Sequence, residues 1–261
     1  LNLKTGALIL GKNRLDDYAE KYLSHHYPKA LMKPMALPVE EILESSGLRV
    51  EQASLSANAD VFGCCVLVDG EVQIYNTKTG QYHPSRYEAG TILIDPDSQA
   101  ALSEGSRRNA LMHEILHWEK DRTYFQISQA RLARNGQALE PIKSRSSSTF
   151  FTPSEKSRKR ETEIQWLEWQ AHRLAPRVLM PKAMFHAKAI ELLDNAEMTS
   201  CDELIEQLSK FFLVSRSAVR YRLLEVGLKS RIAALDDFPV VYSFTRTSKE
   251  NFIAVTLVDA F

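Results

Sequence analysis

Apolar residues recur at helical spacing in the opening segments of the chain, and the pattern then changes to that of strands. Leu15 to Tyr27 and Val39 to Leu48 each carry apolar side chains three to four positions apart, which predicts two helices. The Asp69-Gly70 pair lies between two apolar runs and favours a tight hairpin turn. Helices followed by a small antiparallel sheet predict an α+β fold for the first hundred residues. The predicted strands are Phe62 to Val68, Val72 to Tyr75 and Thr91 to Ile94.

Helical patterns dominate the rest of the chain. Ser106 is a suitable cap for a helix to about Lys120, and a second long helix is predicted from Glu161 to Leu179. The segment between them, Lys143 to Arg160, is rich in Ser, Thr and basic residues and predicts a loop that a protease would cut first. We expect one domain over residues 1–181 and a helical extension over residues 182–261. The extension contains predicted helices at about 182–195, 202–212 and 216–226, then strands at Val240 to Phe244 and Phe252 to Val258.

Composition narrows the class of protein. Of 261 residues, 44% are hydrophobic and 25% charged, and 33 basic residues balance 33 acidic ones. These are values of a globular protein, and a chain that coats nucleic acid or an anionic membrane is usually more basic. The longest strongly apolar run, Val61 to Val68, is too short to span a bilayer. The three cysteines match no disulfide framework, which is typical of a cytoplasmic protein. We expect the adjacent pair, Cys64 and Cys65, to be buried in a strand.

The clearest chemical signal is the sequence His113-Glu114-Ile115-Leu116-His117. On a helix the two histidines lie about 40° apart on one face and one turn apart, which lets two imidazoles meet one metal ion. Glu114 falls about 60° beyond His117, beside that ion. Neutral imidazoles hold Zn²⁺, and an adjacent carboxylate takes a proton from zinc-bound water as the water attacks a peptide carbonyl. The motif therefore predicts a zinc peptidase site.

A catalytic zinc site usually needs a third protein ligand. Asp121 lies on the same face but about 12 Å along the helix from His113, which makes it a weak candidate. The second long helix offers Glu161, Glu163 and Glu168. Glu163 and Glu168 flank its apolar stripe about equally, so periodicity does not choose between them. Position favours Glu168, because a carboxylate in the first turn is explained by the helix dipole alone.

The sequence of this second helix resembles a known family signature. Residues 168–181 read EWQAHRLAPRVLMP and are similar to the pattern E-x-x-A-N-x-F-A-x-x-L-L-M-P that follows HExxH in the ImmA/IrrE family of zinc metallopeptidases. The similarity covers roughly residues 15–230. It implies a zincin-like core in which His113, His117 and Glu168 bind zinc and Glu114 is the catalytic glutamate.

The resemblance also implies a function. Members of this family act in the bacterial cytoplasm on regulatory proteins, often helix-turn-helix repressors whose cleavage or release derepresses genes. We therefore expect a zinc-dependent endopeptidase whose substrate is a transcriptional repressor of this class, with no membrane partner. The sequence does not identify the substrate.

The chain departs from the family pattern at two positions. His172 stands where the family usually has Asn or Asp, and one turn beyond Glu168 it could orient that carboxylate. A surface histidine is an equally good interpretation. Pro176 replaces a small helical residue and should kink the helix. The group that stabilises the oxyanion is open among Tyr124, Tyr221 and His172.

Residues 204–223 resemble a DNA-binding helix-turn-helix, with Ser215 as the cap of the second helix. Arg216 and Arg220 would share a face towards DNA. Leu213 occupies the turn position where glycine is preferred. Glu225 and the neutral total charge also make this segment less positive than a typical DNA-binding surface. A structural appendage of the peptidase is therefore the favoured interpretation. The alternative is a regulator that binds DNA or a partner protein and keeps the zinc fold as scaffold or sensor.

Overall fold

The computed structural model describes residues 5–98, 101, 103–134, 143–145, 163–195, 198–233, 235, 242–246 and 252–256. Helices and strands are mixed over these residues, as an α+β fold requires. Most of the Lys143 to Arg160 segment, and the candidate ligand Glu161, lie outside the described residues. Among the helices of the described residues, none is long and apolar enough to cross a membrane.

Seven of the described α-helices agree with the periodicity in position and differ mainly in length, and the short helix Lys229–Ile232 was not predicted. The helix of the HExxH motif is much longer than expected and begins after Ser103, whose hydroxyl oxygen accepts the Ser106 amide. Two short 3-10 helices flank the first α-helix, at Lys12–Arg14 and Pro28–Leu31. The α-helices are α1 (Leu15–His26), α2 (Val39–Ser45), α3 (Glu104–Ala133), α4 (Glu163–Leu179), α5 (Lys182–Leu193), α6 (Cys201–Phe212), α7 (Arg216–Glu225) and α8 (Lys229–Ile232).

A four-stranded sheet packs against α3. Its strand order is β1-β5-β2-β6, and two separate two-stranded sheets are formed by β3 with β4 and by β7 with β8. The strands are β1 (Arg49–Gln52), β2 (Val61–Cys65), β3 (Gly70–Asn76), β4 (Gln81–Tyr87), β5 (Thr91–Ile94), β6 (Lys143–Arg145), β7 (Tyr242–Arg246) and β8 (Phe252–Thr256). Strand β6 occupies the first three residues of the segment that was expected to be a loop throughout.

Two sequence expectations about the sheets were wrong. The Asp69-Gly70 pair does not join a hairpin of β2 and β3, because β2 pairs with β5 and β6 while β3 pairs with β4. The Asp69 carboxylate instead accepts the Ala89 amide, beside the last residues of β4. The main sheet is mixed rather than antiparallel, because β1 runs parallel to β5. Strands β1 and β4, which the pattern missed, carry mainly exposed side chains and lack the apolar alternation by which a strand is recognised.

The faces of the main sheet belong to two hydrophobic clusters. Ile92, Ile94 and Cys65 belong to the main core, which also contains buried residues of α1, α3, α4 and α5 to α8. Leu93 and Cys64 belong to a smaller cluster with residues of β3. The adjacent cysteines are thus buried, form no disulfide, and face opposite sides of one strand. Buried residues from both sides of position 181 share the main core.

Candidate metal centre

The long helix α3 buries polar groups in its middle. His113, Glu114 and His117 are each no more than 2% exposed, and they lie among fully buried neighbours such as Leu111 and Leu116. The helix packs on α4 on one side and on β2 on another, so this turn is enclosed. Buried ionisable groups are costly unless they meet partners, and their clustering marks a functional site.

Helix α4 brings its own polar pair to the same place. Its apolar stripe, with the fully buried Leu167, Ala171 and Leu174 among the members, packs one flank of α4 against α3. Glu168 lies on that flank. Its Oε1 is 2.9 Å from His117 Nε2, and its Oε2 is 3.6 Å from His113 Nε2.

The structure distinguishes Glu163 from Glu168, which periodicity ranked equally as candidate ligands. Glu163 Oε1 accepts a hydrogen bond from the Thr5 hydroxyl at 2.8 Å, at the start of α4. Glu168 is the one that reaches both histidines. The difference follows from position along α4, since Glu163 is in its first turn and faces the N-terminal segment.

His117 is the most firmly held member of the cluster. Its Nε2 is 3.0 Å from His113 Nε2, and its Nδ1 is 2.7 Å from Asp121 Oδ2. Burial lowers the pKa of His117, but the Glu168 charge and hydrogen bonds to Asp121 and Glu168 outweigh it and raise that pKa to about 10. Without a metal, this imidazole therefore carries a proton near neutral pH.

Asp121 thus contacts Nδ1 of His117, whereas Nε2 of the same ring faces His113 and Glu168. The Asp121 carboxylate is fully buried and also contacts the Lys120 ammonium, which is itself buried. Burial lowers the pKa of Lys120, and the neighbouring Asp121 charge opposes that change. A carboxylate behind a metal-binding imidazole fixes the orientation of its ring and raises its basicity. The four-residue spacing from His117 is the sequence signal for this role, which differs from the direct ligation considered from the sequence.

His172 joins the site from α4, one turn beyond Glu168. Its ring lies 4.4 Å from the His113 ring, and its Nε2 is 3.8 Å from Glu168 Oε2. Burial, aided by the His113 charge, lowers the pKa of His172 to about 3, so this imidazole is neutral near pH 7. Donor atoms of His113, Glu168 and His172 all lie within 4.8 Å of one another, and the three residues could hold a metal ion.

The donor set suits a metal of intermediate softness. Imidazole nitrogens with one carboxylate oxygen are typical ligands of Zn²⁺, whereas Mg²⁺ and Ca²⁺ prefer oxygen ligands alone. Burial raises the pKa of Glu168, but the His117 charge and hydrogen bonds from both histidines of α3 outweigh it and hold that pKa well below its usual range. The ionised Glu168 and the proton on His117 together indicate a pocket that accommodates a positive charge.

Glu114 rests against the backbone of β2. A side-chain carbon added at Gly63 would lie 2.9 Å from Glu114 Oε1, closer than real contacts of that kind. A larger residue at position 63 would therefore force the Glu114 side chain to shift. No motif in the sequence singles out Gly63, and a glycine inside a buried strand pattern is the signal that could have found it.

Two of the three oxyanion candidates lie away from these groups. Tyr124 follows His117 by seven residues, about 10 Å along the axis of α3, and hydrogen-bonds with Ser128. Tyr221 is 41% exposed on α7. His172 is the candidate that lies beside the histidine and glutamate cluster. Helix α4 itself continues past Pro176 to Leu179.

The segment that resembles a helix-turn-helix is docked on the core. Ser215 caps α7 by accepting the Ala218 amide, as predicted, and Leu213 has the left-handed φ of 53°. The backbone of this turn closes on Gly105 of α3, where an added side-chain carbon would lie 2.5 Å from the Val214 carbonyl carbon.

Charges on α7 are largely paired within the protein. Arg216 lies 2.6 Å from Asp202, and Arg220 lies 3.1 Å from the same carboxylate. Arg222 is 1% exposed and reaches Asp16 of α1 at 2.6 Å. The two arginines expected to face DNA are therefore partners of an α6 carboxylate.

Comparisons with known proteins add little to this geometry. No family model matches the chain, and no curated protein matches it. A solved structure described as a Mycobacterium tuberculosis transcriptional regulator is similar, with 15% identity and a TM-score of 0.41. The alignment covers 84% of this chain and 48% of that one, so the chain spans about half the length of this neighbour.

Proposed function

We propose that this protein is a zinc-dependent endopeptidase. The observation that carries the proposal is the convergence of His113 and His117 from α3 with Glu168 from α4, at separations of 2.9 to 3.6 Å. These are the residues that the resemblance to the ImmA/IrrE family implies as ligands. The neighbouring Glu114 completes the set that the HExxH chemistry needs.

Each residue has a defined role in this proposal. His113, His117 and Glu168 hold the metal, and Asp121 fixes the His117 ring through its Nδ1. Zn²⁺ held by these residues would lower the pKa of a water molecule and polarise a substrate carbonyl. Glu114 would accept the proton of the attacking water and pass it to the leaving amine. The Glu114 carboxylate lies close to the backbone of β2 at Gly63, which limits where it can move.

The substrate class comes from the family resemblance. We propose a regulatory protein, of the helix-turn-helix repressor kind, cleaved in a bacterial cytoplasm. A peptidase of this kind recognises an extended peptide segment, which a library of unstructured peptides of varied sequence can supply.

Replacement of the base tests the proposal most directly. Glu114→Gln should keep the zinc content of the wild type and lose peptide cleavage by at least about 100-fold, because a general base contributes roughly 10² to 10⁴ in rate. Cleavage is measured by mass spectrometry on the peptide library, and zinc by elemental analysis. Glu119→Gln, a partly exposed change on the same helix, is the matched control and should cleave normally. Equal cleavage by both variants would reject the catalytic role of Glu114.

The second candidate function is a regulator that keeps the metal centre as scaffold or sensor. The α6–turn–α7 geometry with its Ser215 cap favours it. The ion pairs of Arg216 and Arg220 with α6 weigh against direct DNA contact. A regulator would be indifferent to Glu114→Gln, so the same experiment separates the two candidates.

A further inference from the structure

The two helices of the metal centre present equivalent pairs of donors. On α3, His113 and His117 are one turn apart, and on α4, Glu168 and His172 have the same spacing. Residues four apart share a helix face. Because α3 and α4 pack along each other, four metal-binding side chains meet where a three-ligand catalytic site requires three.

Distances between the donors fit a shared ion. Zinc bond lengths place neighbouring ligands of a tetrahedral site about 3.3 Å apart. The separations are 3.0 Å for His113 to His117, 2.9 Å for His117 to Glu168, and 3.6 Å for His113 to Glu168. His172 is 3.8 Å from Glu168 and therefore lies in a similar range.

The donors form two overlapping sets of three. His113 and Glu168 are common to both, and His117 completes one set while His172 completes the other. An ion bound to the common pair would thus have one further imidazole available from each of the two helices. The His172 side chain is 13% exposed, so it is enclosed with the ion rather than turned to solvent.

We propose that His172 is a fourth protein ligand of the metal and closes the coordination position that a catalytic water needs. This inference rests on the metal site of the proposed function and concerns its regulation. Four protein ligands are typical of closed zinc sites, whereas catalytic sites keep one position for water. Water would enter this centre only when His172 leaves. His172 is the ligand suited to leave, because Asp121 fixes His117 from behind.

Cobalt provides a readout that does not depend on activity. The full-length chain is stripped of metal with a chelator and loaded with Co²⁺, whose visible absorption depends on coordination number and ligand type. Thiocyanate is then added as a probe for an open position. The wild-type spectrum should not respond to thiocyanate. The spectrum of His172→Asn should differ from it and should respond, because water replaces the lost imidazole.

Zinc affinity gives a second measurement on the same proteins. His172→Asn should bind Zn²⁺ at least about tenfold more weakly in competition with a chromophoric chelator. His25→Asn, at an exposed histidine of α1, is the matched control and should behave as the wild type. His172→Ala repeats the comparison without a hydrogen-bonding group, and far-ultraviolet circular dichroism checks that each variant is folded.

The outcomes separate this inference from the proposed function. Identical cobalt spectra and zinc affinities in wild type and His172→Asn would overturn the fourth ligand. If cleavage also fell in that variant, His172 would act on the substrate carbonyl instead. A thiocyanate response in the wild type would likewise show an open position and overturn the closed site. A chain that binds neither metal would overturn the proposed function, and this inference with it. Metal binding without cleavage would reject only the peptidase.

Discussion

The candidate metal centre and the α6–α7 segment share a local pattern, but the two regions differ in burial and in the groups that meet. In both, polar residues spaced by four on one helix face polar residues on its neighbour: His113 and His117 face Glu168, and Arg216 and Arg220 face Asp202. The side chains of the arginine pairs are 40 to 55% exposed, and each cation has an anion beside it. The histidine cluster is buried, and its nitrogens approach one another.

This difference distinguishes a candidate metal site from a network of exposed ion pairs. Exposed pairs of opposite charge satisfy each other, and water screens what remains. In the buried cluster, several imidazoles converge on one carboxylate, and a metal ion could take the place of the proton that His117 carries. Burial together with donor type, rather than spacing alone, therefore separates the two regions.

The largest effect should come from removing the carboxylate ligand. Glu168→Gln should weaken zinc binding by at least about 100-fold, since an amide is a poorer ligand than a carboxylate and the centre loses a negative charge. Glu163→Gln, on the same helix beside Thr5, should change zinc affinity by less than about twofold. Competition with a chromophoric chelator measures both. A larger loss in the Glu163 variant would show that Glu168 is the wrong carboxylate.

A smaller loss of zinc affinity is expected when Asp121, the partner of His117 Nδ1, is replaced. Asp121→Asn should lower zinc affinity by about 10 to 100-fold, because the His117 ring loses its negatively charged partner. Zinc must also displace the proton on His117, whose pKa is raised to about 10, so wild-type affinity should rise with pH through the neutral range. The variant should show a weaker pH dependence, because the substitution lowers that pKa.

Calorimetry in two buffers of different ionisation enthalpy measures the protons released on zinc binding in wild type and Asp121→Asn. The matched control is Asp17→Asn on α1, because that carboxylate is exposed and pairs with Arg14. The control should release as many protons as the wild type. Equal proton release from wild type and Asp121→Asn would show that Asp121 does not set the protonation of His117.

The smallest effect should come from the exposed arginine pairs. Arg220→Ala should barely change the melting temperature, because exposed ion pairs contribute little to stability. Binding to duplex DNA should be weak, strongly dependent on salt, and little changed by the variant. Nanomolar, sequence-specific binding in physiological salt that Arg220→Ala abolishes would reverse the comparison and favour the regulator.

Helix positions could be predicted from the sequence because their apolar residues face one core. The apolar periods of α3 and α4 indicated their approximate positions, and β5 was predicted at Thr91–Ile94, where it is found. Strand pairing could not be predicted in the same way. It depends on which edges meet in space, and β1 and β4 carry few buried residues to signal their presence.

The candidate site shows a similar limit. Spacing along one helix was enough to group His113 with His117, because both belong to consecutive turns. Periodicity left Glu163 and Glu168 equivalent, and only their positions along α4 favoured Glu168, the residue that contacts both histidines. The contact of Gly63 with Glu114 joins residues 51 positions apart, and only the fold brings them together.

The contact at Gly63 has a consequence for conformational entropy. A catalytic side chain that rests on other side chains has neighbours that can exchange rotamers. Here the Glu114 carboxylate rests on main chain of a strand that is paired on both edges. Such a surface has no rotatable side-chain bond, so in the proposed peptidase little disorder of Glu114 would remain to be lost when a substrate binds.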